Sequence, residues 1–306
     1  MARYILRRLV MLVPVLFGVS LVSFSLLHLV PGDPAEVLGG AEATKEDVER
    51  IRREYGLDRP LLVQYLQFAA NAVRGDFGIS IQSRHTVRGL LFQRLGFTLQ
   101  LSLASILVAS VVGLLAGIVS ATRPYSLFDA LGMLGALFGI SMPIFWLGLL
   151  LIVVFAVQLH WLPSGGTGTL FHLILPAVAL GSASSAVIAR MTRASMLEVV
   201  RQDYIRTARA TGYREDVVIF RHALKNAMIP ILTVFGLEFG SMLGGAVLTE
   251  TVFSLPGVGR LLVEGIFARD YPVVQGAMML VATTFVLVNF LTDAAYAFFD
   301  PRIRYE

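Results

Sequence analysis

The sequence contains six apolar stretches, each about as long as a membrane crossing. A helix needs about 20 mostly apolar residues to cross the hydrocarbon core of a bilayer. The stretches are 9–30, 97–121, 130–157, 170–189, 229–249 and 273–292. Only 15% of the 306 residues are charged, whereas soluble domains carry about 25%. The sequence therefore predicts an all-α integral membrane protein with six transmembrane helices.

The positions of Lys and Arg predict the orientation of these helices. If the N-terminus lies inside, the cytoplasmic segments hold more than half of the 25 basic residues, and the two short outer loops hold only Arg260 and Arg269. The rest lie in 31–96, and long translocated segments count little in the positive-inside rule. We therefore expect both termini to be cytoplasmic. The first apolar stretch exceeds a signal-peptide core, so we expect it to stay as an uncleaved anchor.

Two segments on the predicted outer side are more than connections. In 31–96, Thr44 fits a helix N-cap, Pro60 fits a helix start, and the glycines of 75–78 fit a break. This pattern predicts a small helical cap, with a plain structured loop as the alternative. In 250–272 the apolar spacing predicts a short helix lying at the membrane interface.

One segment on the predicted cytoplasmic side, 190–228, carries a pattern of helix, glycine and helix. A short helix is expected through Asp203–Thr211, and Gly212 follows it at a position where a left-handed conformation is easily adopted. A second helix over 214–226 then leads into the fifth apolar stretch. The segment is therefore expected to project as a compact knob. A basic loop that serves only topology and lipid contact is the alternative.

Several classes of chemistry are missing from the sequence. There is no phosphate-binding P-loop and no zinc-protease motif, and the absence of cysteine excludes disulfides and thiolate metal sites. Glu238 is the carboxylate inside the predicted fifth span, so it is a candidate for the translocation pathway. Pairing with a neighbouring helix, or contact with water, is the other interpretation of Glu238.

Three sets of glycines stand four residues apart within the predicted spans. Such spacing places them on one helix face and lets another helix approach closely. The sets are Gly113 and Gly117, Gly135 and Gly139, and Gly236, Gly240 and Gly244.

The predicted knob also resembles a known family. Its Arg206-Thr-Ala208-x3-Gly212 is similar to the EAA-x3-G signature of ABC-transporter permease subunits, with Arg206 and Thr207 in place of the first two letters. The family's later I-x-L-P is here Asn226-Ala-Met-Ile-Pro230. These departures resemble the branch of permeases for dipeptides, oligopeptides, glutathione and nickel. Further stretches similar to that branch are PGDP (31–34), YGLDRPLLVQY (55–65), GDFG (75–78), DYIRTARATG (203–212), RHALKNAMIP (221–230), ETVFSLPGVGRLL (250–262), RDYPVVQG (269–276) and DPRIRY (300–305).

The resemblance implies a type I ABC importer permease in a bacterial or archaeal cytoplasmic membrane, most similar to dipeptide or glutathione permeases. It implies a second homologous permease, two ATPases that bind ATP and Mg, and an extracytoplasmic solute-binding protein. No cofactor in this chain and no nucleic-acid partner are implied. The resemblance makes the knob the coupling helix that docks on an ATPase, and a side chain larger than Ala208 is expected to clash in the ATPase groove. The expected docking residues are Tyr204, Arg206, Ala208, Gly212 and Tyr213. The expected outer-face contacts are Asp33, Asp76 and Asp270.

The expected organisation has three parts. Residues 1–30 form the tail and first helix, 31–96 form the outer segment, and 97–306 form the core with the coupling loop 190–228. A secondary transporter working alone is the competing class, and it would show inverted repeats, broken helices or a charged pore lining. A membrane enzyme would need clustered catalytic residues at one membrane face. Within the importers, dipeptide, longer peptide, glutathione and nickel remain open as substrates.

Overall fold

The computed structural model of the protein describes residues 2–29, 33–40, 43–54 and 56–299. These residues form helices without any sheet, apart from one isolated bridge between Ile79 and Thr86. The helices are α1 (Ala2–Leu29), α2 (Pro34–Gly39), α3 (Lys45–Glu54), α4 (Leu61–Val73), α5 (Val87–Thr122), α6 (Leu127–Ser141), α7 (Ile144–Leu151, continued as a π-helix over Ile152–Gln158), α8 (Phe171–Val200), α9 (Asp203–Ala210), α10 (Glu215–Val217, continued as a π-helix over Val218–Ala223), α11 (Leu224–Val252), α12 (Val258–Phe267) and α13 (Tyr271–Phe299). Part of the expected turn at 31–34, Tyr55 and the motif 300–305 lie outside the described residues.

Four helical stretches of the described chain are long and apolar enough to cross a membrane. They are Val87–Thr122, Phe171–Val200, Glu215–Val252 and Tyr271–Thr292. A fifth crossing arises if the bent pair α6 and α7 counts as one span. Helix α1 covers the first predicted span, but its apolar section among the described residues is only Val10–Ser25. The described structure therefore supports four or five spans by length and composition.

The third predicted span, 130–157, is not one continuous helix, and this corrects the sequence prediction. Helix α6 ends at Ser141, and α7 leaves at an angle of 106° after Pro143. A proline disfavours the helical conformation of the residue before it, and Met142 is extended at φ −81° and ψ 128°. Pro176 and Pro230, in contrast, lie inside continuous helices.

The boundaries of two other spans also differ from the prediction. Helix α5 begins at Val87 rather than at 97, and α8 continues to Val200 rather than ending at 189. In both cases the extension carries charged residues, so the apolar run stops before the helix does. Val87 and Leu91 are buried in the added part of α5, and Met196 is buried in the added part of α8. Packing of one apolar face therefore sustains each extension.

The chain divides into two compact units. Unit 1 comprises 99–255 with the last helical residues from 287 onwards, and unit 2 comprises 2–98 with 256–286. In unit 1, α8 packs against α6, α7 and α11. One buried cluster of unit 1 surrounds Leu180 and Phe253, and a second surrounds Met196 and Ile205.

Close approach of α5 to α8 in unit 1 depends on glycine. An added Cβ at Gly113 would lie 2.8 Å from the Ser185 carbonyl oxygen, and one at Gly117 would lie 2.5 Å from the Thr192 Cβ. Real Cβ atoms do not approach other atoms so closely, so the interpretation of this glycine pair as a packing face is confirmed.

The other two glycine sets are only partly confirmed. Gly139 lies against the Ser182 carbonyl oxygen, and Gly236 lies against Thr292, but added Cβ atoms at Gly135 and Gly244 would meet nothing within 4 Å. The regular spacing of the glycines therefore identifies the helices that pack closely, and it does not identify each contacting position.

Unit 2 contains the helical cap expected from 31–96. The Thr44 hydroxyl accepts a hydrogen bond from the Asp47 amide at 3.2 Å, and the Asp47 carboxylate accepts one from the Thr44 amide at 3.2 Å and one from the Thr44 hydroxyl at 2.7 Å. These bonds form a capping box at the start of α3, and the bonds from Thr44 lower the pKa of Asp47. Helix α4 follows Pro60, and Gly75 and Gly78 adopt φ of +70° and +80° after its end. The expected caps and the break are therefore confirmed.

Helix α4 packs against α1 through one aromatic residue. Leu62 and Leu66 are exposed, whereas Tyr65 is half-buried against α1. The Tyr65 hydroxyl lies 2.9 Å from the Ser20 hydroxyl, and its ring packs edge-on against Phe24 at 5.5 Å between ring centres. An aromatic side chain with a hydrogen-bonded hydroxyl thus joins α4 to α1.

Candidate functional site

The predicted knob exists, and we define it here as residues 203–217. It consists of α9, a turn over 211–214 and α10. Only Arg201 and Gln202 separate it from α8, and α10 passes directly into the π-helix and α11. Its two ends are therefore continuous with two long helices of unit 1.

Helix α9 buries a single narrow face. Ile205 is fully buried and Ala208 is 9% exposed, and both belong to the cluster around Met196. These two positions are three residues apart, so they lie on the same side of the helix. Every other residue of α9 is exposed. The underside of α9 is thus fixed to the chain's own core, and its upper side is free for contacts.

The turn after α9 requires glycine for conformational reasons. Gly212 has φ of +82°, and its amide donates to the Arg209 carbonyl at 3.0 Å. A Cβ at this position would meet nothing within 4 Å. The left-handed conformation, and not a lack of space, therefore selects glycine here. The expected left-handed cap is confirmed.

An ion pair spans this turn. The Arg209 Nε and Nη2 atoms donate to the two carboxylate oxygens of Glu215 at 3.1 and 2.7 Å. These hydrogen bonds raise the pKa of the Arg209 guanidinium above its usual value. Two parallel bonds fix an angle as well as a distance, so they orient α9 relative to α10.

The free side of the knob presents two tyrosines and several charges. Tyr204 is 44% exposed, and its hydroxyl accepts a hydrogen bond from the side-chain amide nitrogen of Asn226 at 3.0 Å. Tyr213 is 55% exposed, and its ring lies 5.4 Å from that of His222. The Arg206 side chain is exposed and lies 3.7 Å from Asp203. Exposed aromatic and arginine side chains with one restrained end are typical of protein interfaces.

The position of Ala208 changes the interpretation of one predicted docking residue. Its methyl group faces the cluster of unit 1 and is almost fully buried. A larger side chain would therefore first clash with the chain's own core rather than with a groove on another protein. Ala208 acts as a spacer that sets the distance between α9 and the core.

Glu238 lies on α11 and is half-buried. Within the described part of the chain, no basic side chain lies within ion-pair distance of its carboxylate, and its carbonyl accepts a bond from the Ser241 hydroxyl at 2.8 Å. The role of Glu238 in a pathway stays a prediction.

Two of the predicted outer-face contacts serve local structure. Asp33 caps α2 by accepting from the Ala35 amide at 3.0 Å, and it forms an ion pair with Arg52. Asp76 is exposed and accepts from the Gly78 amide at 3.0 Å, which stabilises the turn after α4. Asp76 is exposed and could still contact a partner protein, whereas the Asp33 carboxylate already binds the Ala35 amide and Arg52.

Asp270 is buried, which corrects its assignment as an outer-face contact. Only 2% of it is exposed, and it accepts hydrogen bonds from the Ser80 hydroxyl at 2.5 Å and the Gln82 amide at 3.2 Å. It also lies 3.4 Å from the Val273 amide at the start of α13. Its carboxylate therefore holds the 80–82 turn against α13, and no surface remains for a partner.

A partly buried ion pair that the sequence did not reveal joins α6 to α8. Arg193 Nε and Nη2 donate to the two carboxylate oxygens of Asp129, both at 2.7 Å, and Asp129 is 4% exposed. The Ser126-x-x-Asp129 spacing is an N-cap signal that could have identified Asp129 as a helix start. No local signal could have paired it with a residue so distant in the sequence.

No potential metal site is found among the described residues. They contain no group of three or more His, Asp or Glu side chains that could hold a metal ion. The fold and the knob together define a membrane protein with several candidate spans and a short, largely exposed helix between two of them.

Comparison with known proteins identifies the family. Residues 113–305 match the model for the binding-protein-dependent transport system inner membrane component, and residues 1–103 match the N-terminal model of such components. The chain belongs to this family. It is a permease subunit of an ABC importer and a multi-pass protein of the cytoplasmic membrane.

Curated relatives match over the full length of the chain and of their own sequences. The chain is 47% identical to the di/tripeptide transport system permease protein DppB of Pseudomonas aeruginosa (strain UCBPP-PA14). It is 46% identical to the glutathione transport system permease protein GsiC of Escherichia coli (strain K12). It is 44% identical to the dipeptide transport system permease protein DppB of Alkalihalophilus pseudofirmus.

A solved structure shares the fold at lower identity. A chain of the MetNI methionine ABC transporter in inward-facing conformations superposes with a TM-score of 0.60 at 20% identity. The match covers 69% of this chain and 96% of that one. The chain therefore shares the fold of this importer permease.

Proposed function

We propose that this permease forms half of a translocation pathway for dipeptides or oligopeptides. In this proposal a second homologous permease supplies the other half, and two ATPases that bind ATP and Mg dock from the cytoplasm. An extracytoplasmic solute-binding protein delivers the substrate. ATP-driven closure of the ATPases switches the pathway between inward-open and outward-open states.

The substrate class is supported by what the relatives transport. Their names specify dipeptides, di- and tripeptides, and glutathione. Glutathione is itself a tripeptide, so all three ligands share a peptide backbone and free charged ends. Glutathione remains the closest alternative substrate. Nickel is a further alternative from the sequence resemblance.

The observation that carries the docking proposal is the two-sided geometry of α9. Its underside is fixed to unit 1 by Ile205 and Ala208, so a force on α9 is passed to α8 and not absorbed by a flexible loop. Its upper side leaves Tyr204, Arg206 and Tyr213 for an ATPase groove. Gly212 sets the direction of the chain after α9.

We further propose six spans with both termini in the cytoplasm. The sixth is α1, and the bent pair α6 and α7 crosses as one broken span. In this arrangement residues 31–96 lie outside the membrane, and residues 97–306 form the core. The cytoplasmic loop is shorter than the expected 190–228, because α8 continues to Val200 and α10 begins at Glu215. A broken helix is also expected of secondary transporters, but here the break lies at Pro143, and a proline disfavours the helical conformation of the residue before it.

The test of docking is co-purification of the tagged chain from detergent-solubilised membranes, with ATPase activity measured on the purified material. Wild type is expected to bring two ATPases and a second six-span protein. Arg206→Glu and Tyr213→Ala are expected to lower the amount of bound ATPase. Arg74→Glu reverses an exposed charge on the proposed outer side and is the matched control, which is expected to bind normally. Recovery of the chain without any ATPase under mild conditions would refute the proposal.

The substrate is tested on the same purified importer. Candidate solute-binding proteins are added with an Ala-Ala dipeptide, with glutathione or with Ni²⁺, and ATP hydrolysis is followed. Stimulation by the dipeptide-loaded protein supports the peptide pathway. Stimulation by the glutathione- or nickel-loaded protein alone assigns the chain to that alternative.

A further inference from the structure

A partly buried ion pair joins α6 to α8 about two turns before the end of α8. The Asp129 carboxylate receives two bonds from the Arg193 guanidinium at 2.7 Å each, and the Asp129 side chain is 6% exposed. A bidentate pair fixes orientation, whereas a lysine would provide only a point charge. The two helices are thus held at a defined angle and register at this position.

The same carboxylate also organises the start of α6. It accepts a hydrogen bond from the Tyr125 amide at 2.9 Å, and the Ser126 hydroxyl accepts one from the Asp129 amide at 3.3 Å. Tyr125 itself has φ of +62°. Arg193 therefore binds both the first turn of α6 and, through Asp129, the connection that enters it.

Helices α6 and α8 run side by side from this point. Further along α6, an added Cβ at Gly139 would lie 3.2 Å from the Ser182 carbonyl oxygen and 3.6 Å from the Ala186 Cβ. Asp129 thus faces Arg193, and Gly139 faces Ser182. Because the residue number rises along α6 as it falls along α8, the two helices are antiparallel. The contacts at Gly139 involve small residues, which allow two helices to approach closely inside a membrane.

The knob is attached to α8 on the other side of the ion pair. Arg193 lies about two turns before the end of α8 at Val200. Met196, on the same stretch of α8, packs in one cluster with Ile205 and Ala208 of α9. The end of α8 and α9 therefore form one body, and Arg193 is part of it.

We infer that the Asp129–Arg193 pair couples the knob to the bent helices α6 and α7, so that α6 follows α8 when an ATPase moves α9. This inference rests on the proposed docking of the knob. Asp129 and Arg193 are positioning residues, because neither is part of the exposed docking side. Without the pair, α8 would move with α9 while α6 keeps its place against the lipid.

The test measures the distance between α6 and α8 in two nucleotide states. The chain contains no cysteine, so Leu134→Cys on α6 and Glu198→Cys on α8 supply two spin-label sites on exposed positions. Distances are measured by pulsed electron spin resonance in the purified importer, without nucleotide and trapped with ATP and vanadate. In the labelled protein that keeps Asp129 and Arg193, we expect a single distance between the two labels, and we expect it to be the same in both nucleotide states.

Arg193→Gln removes the pair, and Arg190→Gln is the matched control, since Arg190 is an exposed arginine one turn earlier on the same helix. We expect Arg193→Gln to shift the α6–α8 distance by about 2 Å or more between the states, the scale of helix movements in allosteric proteins. Arg190→Gln should behave as wild type. Arg193→Lys, which keeps the charge and loses the second bond, should show a smaller shift.

The outcomes separate this inference from the proposed function. If ATPases do not co-purify with the unaltered chain, the docking proposal fails. If they do, and Arg193→Gln retains one unchanged distance in both states, the coupling role of the pair is refuted while docking stands. If the unaltered chain already changes its α6–α8 distance, the inference is also refuted. Should Arg193→Gln not assemble, Asp129→Asn, which keeps a polar group at the helix start, serves as the second variant with the same expected shift.

Discussion

Substitution of Gly117 by alanine tests the close packing of α5 on α8. The new Cβ would lie 2.5 Å from the Thr192 Cβ and 2.7 Å from the Ala189 carbonyl oxygen. Backbone and Cβ atoms cannot move aside as a long side chain can, so the two helices must separate. Inserting a methyl group into a well-packed interface costs about 1–3 kcal/mol.

Gly135→Ala provides the matched control for this substitution. Gly135 also lies within a long apolar helix, but a Cβ there would meet nothing within 4 Å. Alanine favours the helix by about 1 kcal/mol over glycine at either position. The difference between the two variants therefore isolates the packing cost of about 1–3 kcal/mol, because the helix preference cancels.

The assay is the melting temperature of the detergent-solubilised chain, followed by size-exclusion chromatography after heating. One kcal/mol corresponds to about 2–4 °C in a domain of 150–250 residues. Gly117→Ala is thus expected to melt several degrees below Gly135→Ala. A Gly117→Ala protein that melts at the same temperature as Gly135→Ala, or above it, would refute the packing argument.

Three further variants test the turn of the knob and the buried carboxylate of unit 2. Gly212→Val should destabilise the turn by about 1–2 kcal/mol because a β-branched residue disfavours the left-handed conformation, and amide exchange over 203–217 should accelerate. Asp270→Asn should lower the melting temperature, since an NH2 donor replaces one of its two buried acceptor oxygens and leaves a donor without an acceptor, which costs about 1–3 kcal/mol, whereas exposed Asp76→Asn should leave it unchanged. Glu215→Ala removes an exposed ion pair with Arg209 that contributes about 0.2–1 kcal/mol. Amide hydrogen exchange at the turn should therefore be faster, without a measurable change in melting temperature. Equal exchange rates in the variant and in wild type would contradict a restraining role of this ion pair.

Features with local causes could be predicted from the sequence. The cap at Thr44, the helix start after Pro60 and the left-handed turn at Gly212 each depend on residues within one helical turn. The same holds for the apolar stretches, because hydrophobicity alone specifies them. These signals were sufficient for the helical framework and for the existence of the knob.

Features that depend on distant packing could not be predicted. Pro143 breaks its helix, while Pro176 and Pro230 do not, and no local pattern separates the three. The burial of Ala208 depends on Met196 of another helix, so a residue taken for a contact with a partner is part of the core. Asp270 was misassigned for the same reason, because its donors lie far away in the sequence.

The uninterrupted length of α8 determines how far a small tilt moves the knob. With 30 residues the helix is about 45 Å long. Tilting such a rod by about 10° around its middle displaces each end sideways by about 4 Å. A modest rotation therefore moves α9 by several ångström against a neighbour, and the opposite end must swing equally far in the reverse direction. In the proposed importer, a continuous α8 thus gives equal and opposite displacements at the two membrane faces, which is the geometric condition for opening one face while the other closes.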